Sequence, residues 1–101
     1  MKPPVLYLVV PCYNEQEVLD DTAHVLTEKL SALIACGSIS AHSRVVFVND
    51  GSRDGTWERI TAWTENNKLC TGINLAHNEG HQNALLAGLM TVRPYADVTV
   101  S

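Results

Sequence analysis

Two apolar runs, VLYLVV at residues 5–10 and VVFV at 45–48, lack the alternation of a half-exposed strand and stop on polar clusters. Runs this short and this uniformly apolar fit strands buried on both faces of a sheet. The first reads as a strand over 5–11 that stops at Pro11, a residue with no N–H to continue a ladder. The second reads as a strand over 43–49, SRVVFVN, rich in extended-favouring Val and Phe. LCTGINLA at 69–76 is a weaker third strand broken by Gly72, and ADVTVS at 96–101 begins a fourth.

Between these strands the apolar period changes to three and four. Leu19, Ala23, Leu26, Leu30 and Leu33 mark one face of a long amphipathic helix, with Glu15 and Glu17 in its first turn and Gly37 as its stop. Asn14 can cap that helix or shape the turn before it. Asp54 is expected to cap a second helix in which Trp57, Ile60 and either Thr61 or Thr64 share a face. Residues 78–92 read as a third helix ended by Pro94. Its Ala84, Ala87, Gly88 and Thr91 form a small-residue side suited to close packing on a sheet. Strand and helix alternate throughout, which predicts an α/β fold: a mostly parallel sheet with helices on both faces, joined by right-handed crossovers.

Composition narrows the function. At 101 residues, 46% hydrophobic and 18% charged, the chain is one domain at most, residues 1–101. Its longest apolar run is far short of the roughly 20 residues a membrane span needs. The start, MKPP, has no signal-peptide pattern, so a cytoplasmic location is expected. Cys12, Cys36 and Cys70 lack CxxC spacing and read as buried or idle thiols in a reducing compartment. A formal net charge of −4 argues against a nucleic-acid partner.

Ligands of open parallel sheets bind beyond the carboxyl ends of the strands. Polar loops stand at those ends here: PCYNE after the first strand, NDGSRDG after the second and AHNEGH after the third. Each alone fits an ordinary turn; together they point to a site at one edge. Asp50, at a strand end, can accept hydrogen bonds from ring N–H or amino groups of a base. Gly51 and Gly55 let backbone approach a ligand closely. Neither a GxGxxG fingerprint nor a P-loop is present. The four histidines show no paired ligand spacing: His24 and His42 read as surface residues, and His77 is open. His81, beside exposed helix N–H groups, is suited to meeting a phosphate or carboxylate.

With the loops so placed, the chain resembles the N-terminal part of a family-2 glycosyltransferase of the GT-A fold. The resemblance rests on VVPCYNE at 9–15, VVFVNDGSRDGT at 45–56 and NLAHNEGHQNALLAGL at 74–89, and it covers nearly the whole chain. The third motif is particularly similar to polyprenyl-phosphate sugar transferases, the group of dolichol-phosphate mannose synthases and bactoprenol glucosyltransferases. The resemblance implies a nucleotide pocket lined by Pro11, Tyr13 and Glu15, with Asp50 on the base and Val48 helping to form the base pocket. Asn14 would shape the turn, Gly51 would allow close approach, and Gly80 and His81 match the usual G-H pair near the nucleotide. Relatives often carry Phe where this chain has Glu79.

The same resemblance implies Mg²⁺ or Mn²⁺ on the donor diphosphate, held by an Asp-x-Asp element after the fourth strand. The chain ends at DVTVS, before such an element, and Asp97 precedes the strand and is no substitute. The chain is therefore expected to be the truncated nucleotide-binding half of a longer transferase, without catalytic or metal residues of its own. That protein would move a sugar from a UDP- or GDP-linked donor to a polyprenyl phosphate or other acceptor at the cytoplasmic face of a membrane, for cell-envelope glycans. The cut sheet edge raises an expectation of self-association. A nucleotidyltransferase or other nucleotide-binding α/β domain remains an alternative, as does a receiver-like domain with Asp50 as phosphate acceptor.

Overall fold

The valine-rich second run forms the most deeply buried element of the chain. In the computed structural model, which describes residues 2–101, Val45, Val46, Phe47 and Val48 are fully buried in β2 (Arg44–Asp50). This strand has neighbours on both sides. It pairs in parallel with β1 (Leu6–Cys12) and with β3 (Cys70–Leu75), and β1 pairs in parallel with the short β4 (Val98–Val100). The sheet order is β3-β2-β1-β4, so the chain reverses direction across the sheet at β1.

Three helices cover the sheet: α1 (Gln16–Ala35), α2 (Thr56–Asn66) and α3 (His81–Val92). Side chains of β2 alternate between the two faces, as strand geometry requires. Val45 and Phe47 pack with α1 and α2 through Leu19, Ala23, Leu30 and Ile60. Val46 and Val48 pack with α3 through Ala84 and Val92. The α/β architecture with helices on both faces is thus as the alternation predicts, and every strand pair is parallel.

The small-residue side of α3 has a direct physical purpose. A Cβ at Gly88 would stand 2.6 Å from Val9 Cγ1 and 2.8 Å from Val48 Cγ2. Ala84 and Gly88 therefore let the helix lie close on the sheet, whereas Thr91 of the same set is exposed. Gly72 does the same on the other face, where a Cβ would meet Ile60 Cγ2 at 2.8 Å. The glycine that weakens the third strand as a sequence pattern is the one that lets α2 approach it.

Several boundaries differ from expectation. β1 runs through Pro11 to Cys12. β4 pairs only with Leu6, Tyr7 and Leu8, so further along β1 is an edge on that side, where a residue without an N–H is tolerated. The third helix begins at His81 rather than at residue 78, because Asn78 Oδ1 accepts the Gly80 N–H and holds a turn there. The fourth strand is confined to Val98–Val100. Leu33 is 40% exposed, and Thr27 takes its share of the buried face of α1, its hydroxyl satisfied by the carbonyl of Ala23. Gly37 ends α1 as expected. At φ +82° it donates to the Ile34 carbonyl while Ser38 donates to that of Leu33. Among the described residues no helix is long and apolar enough to cross a membrane.

Candidate functional site

Beyond the carboxyl ends of β1 and β2 the chain leaves an open cavity of about 310 Å³. It is lined by Pro11, Cys12, Tyr13 and Glu15 from the first loop, Asp50 from the second, and Asn78, Gly80 and His81 from the third. The three polar loops that the sequence sets at strand ends therefore meet at one place.

Asp50 sits at the seam. Only 3% exposed, it is the last residue of β2, and its Oδ1 accepts the Glu79 backbone N–H at 2.7 Å. One carboxylate oxygen thus fastens the third loop to the sheet. Gly51 completes the fastening. Its φ is +67°, and a Cβ there would collide with the backbone nitrogen of Asn78 and stand 2.7 Å from the His77 carbonyl carbon. The glycine is needed because another loop's backbone packs against it. The latch uses the backbone of Glu79, whose side chain is exposed, so an acidic residue is accommodated there.

Gly80 and His81 reach the cavity from the third loop. Gly80, at φ +88° with open space where a Cβ would be, presents bare backbone and is the N-terminal cap residue of α3. No side chain caps that helix, so its first N–H groups point to the loop region beside His81. Gly80, His81 and the Asp50 carboxylate thus line the same cavity.

The first and second loops are laced together by hydrogen bonds across some forty positions of sequence. Asn14, at φ +51°, donates its N–H to Ser52 Oγ at 3.0 Å and accepts the Arg53 N–H on Oδ1 at 2.9 Å. Glu15 donates its N–H to Thr56 Oγ1 at 2.8 Å, and Gln16 donates its own to Asp54 Oδ2 at 3.3 Å. Gly55 returns a bond to Gln16 Oε1 at 2.7 Å. Asn14 is therefore not a helix cap: the α1 cap position is Glu15, with no side-chain cap bond, and residues 54 and 56 receive the N–H groups at its start. Asp54 also departs from its expected place. The α2 cap position is Gly55, while Asp54 Oδ1 accepts the N–H and hydroxyl of Thr56. That hydroxyl, first, and the N–H groups of Thr56 and Gln16 hold the Asp54 carboxyl below its ordinary range.

Of the nine residues singled out by sequence, Pro11, Tyr13, Glu15, Asp50, Gly80 and His81 line the cavity. Asn14 and Gly51 stand behind it, shaping the loops. Val48 is elsewhere: fully buried, it packs under α3 against Gly88. Its side chain alternates to the opposite face from Phe47 and does not reach the cavity. Two lining residues were not singled out, Cys12 and Asn78. Cys12 reads as a buried or idle thiol, and it is buried: burial, then the nearby Glu15 charge, pushes its thiol up to about 12. Asn78 sits within the third polar loop, and that position was its available signal.

Comparison with known proteins decides the family. The glycosyl transferase family 2 profile matches residues 7–94, nearly the whole chain. The chain belongs to glycosyl transferase family 2. Within this family, it is 48% identical over 98 residues to the uncharacterized glycosyltransferase YkoT of Bacillus subtilis, covering 97% of this chain and 29% of YkoT. It is 35% identical to the undecaprenyl-phosphate 4-deoxy-4-formamido-L-arabinose transferase of Aeromonas hydrophila, covering 85% of this chain and 25% of that protein. A solved structure, the mannosyltransferase of Pyrobaculum calidifontis in complex with GDP-Man and Mn²⁺, is similar with a TM-score of 0.61 at 27% identity. That similarity covers 88% of this chain and 24% of the mannosyltransferase, and the sheet described above corresponds to its GT-A fold. This family 2 chain thus spans about a quarter of the length of the relatives it matches.

Proposed function

We propose that this chain forms the nucleotide-binding part of a glycosyltransferase that moves a sugar from a UDP- or GDP-linked donor to a polyprenyl phosphate or similar acceptor. The observation that carries the reading is the convergence of all three family motifs on one cavity with Asp50 at its seam. Asp50 Oδ1 is occupied by Glu79, and its second oxygen is suited to accept a ring N–H of a base. Tyr13 supplies an aromatic surface for the base or ribose. His81 and the uncapped start of α3 suit the anionic diphosphate. GDP-Man in the mannosyltransferase and the undecaprenyl-phosphate substrate named for the Aeromonas relative support this division of donor and acceptor.

The Mn²⁺ of the mannosyltransferase supports use of a divalent cation, which would neutralise charge on the departing diphosphate. Among the described residues no group of three His, Cys, Asp or Glu side chains converges as ligands. Asp97 is remote from the cavity: its Oδ2 accepts the Val5 N–H at 2.9 Å, at the opposite end of the strands. With only about a quarter of the relatives' length present here, we assign the cation's ligands and the acceptor site to the remainder of a longer protein acting at the cytoplasmic membrane face.

An amide NMR titration with UDP, GDP and ATP tests the reading. Saturable shifts at Tyr13, Asp50, Gly80 and His81 with UDP or GDP are the expected result. Preference for ATP would replace the transferase reading with a nucleotidyltransferase one.

A further inference from the structure

Thr56 lies outside the cavity and fully buried, yet it governs the backbone that carries two cavity side chains. Its hydroxyl accepts the Glu15 N–H at 2.8 Å and donates to Asp54 Oδ1. Asp54 Oδ2 in turn accepts the Gln16 N–H. The start of α1 has no side-chain cap of its own, so the first turn that ends the Tyr13–Glu15 loop is held by Thr56 at the start of α2 and by Asp54 just before it. Gly55 and Gln16 add a reciprocal bond at 2.7 Å between the same two segments.

We infer that Thr56, acting with Asp54, is a positioning residue for the cavity: the relay from Glu15 N–H through the Thr56 hydroxyl to the Asp54 carboxylate sets Tyr13 and Glu15 in their ligand-binding arrangement. The inference rests on the reading of this cavity as a nucleotide site. A hydroxyl is required because the atom must accept from one side and donate to the other at once. Serine can do both; valine, of almost the same shape, can do neither and leaves the Glu15 N–H without an acceptor. Preorganised loops lose affinity when released, since the ligand must then order them.

The test compares Thr56→Val, Thr56→Ser and Asp54→Ala in the 101-residue chain, with Ile60→Val as a core control on the same helix. Asp54 is exposed, so its variant reports even where Thr56→Val folds poorly. Amide exchange at Glu15 and Gln16 reads the relay without ligand, and affinity for UDP and GDP reads its consequence. Thr56→Val and Asp54→Ala are expected to speed exchange at those amides and weaken nucleotide binding roughly tenfold, the worth of one lost hydrogen bond. Thr56→Ser restores both, and Ile60→Val lowers stability while leaving affinity intact. Unchanged affinity in Thr56→Val and Asp54→Ala, with wild type binding normally, overturns the positioning role. Wild type that binds neither nucleotide while its Glu15 and Gln16 amides stay protected overturns the nucleotide reading instead.

Discussion

The Asp50 carboxylate accepts the backbone N–H of Glu79 at 2.7 Å, joining the end of β2 to a loop 29 residues further along the chain. One oxygen of a residue that suits base recognition is thereby committed to holding the wall of its own cavity. Under the proposed function, recognition and loop position share a side chain, so changes at Asp50 or at its neighbour Gly51 report on both.

Asp50→Ala removes the acceptor and is expected to lower stability by about 1–3 kcal/mol. Asp50→Asn keeps an acceptor for Glu79 and costs less, while still losing the charge that faces the cavity. Gly51→Ala is expected to be at least as damaging as Asp50→Ala, since it adds a left-handed penalty of about 1–3 kcal/mol to a collision with Asn78. Urea midpoints order the variants. Equal midpoints for Asp50→Ala and Asp50→Asn would argue that the latch contributes nothing.

Gly88→Ala should destabilise although alanine is the better helix former by about 1 kcal/mol. The added methyl meets Val9 and Val48, and overpacking of this kind costs about 1–3 kcal/mol. Shrinking Val9 to alanine in the same chain is expected to recover part of the loss, a coupling that a double-mutant cycle measures.

Asp54 links the Glu15–Thr56–Asp54 relay to pH. Its folded-state carboxyl lies below the ordinary 3.8, chiefly through the Thr56 hydroxyl, so its contribution is present above the unfolded value and is lost as pH falls through the folded one. The acid limb of stability below about pH 4 should therefore be shallower in Thr56→Val than in wild type. Thermal midpoints between neutral pH and the acid limit would reveal this, and parallel curves would count against it.

The thiols should differ in reactivity. Cys36 is exposed, and its hydrogen bond with Ser38 lowers its pKa, whereas burial pushes Cys12 up to about 12 and Cys70 up to about 11. Maleimide labelling at mildly alkaline pH followed by peptide mass spectrometry is expected to modify Cys36 in the native chain, and all three after unfolding. Fast native labelling of Cys12 would mean that the cavity floor opens.

What the sequence determined by itself is the alternation and its consequence. Uninterrupted apolar runs such as VVFV, alternating with helical segments, fit strands buried between two helical layers, and polar residues at strand ends fall at one edge of a parallel sheet whatever the details. The three loops were legible on that ground, with Asp50 and His81 as candidates within them, because strand direction alone puts those loops together; Tyr13 and Glu15 followed only from the family resemblance. Tertiary structure decided what local pattern leaves undetermined. Asn14 and Asp54 have the chemistry of helix caps, yet each found partners some forty residues away, since a hydrogen-bond donor is satisfied by whichever acceptor the fold brings near. Val48 and Asp50 lie two apart on one strand and share a face, but only the residue at the strand's end lines the cavity. The glycines at 51, 72 and 88 look alike in sequence; which backbone or side chain crowds each one is a fact of packing between distant segments.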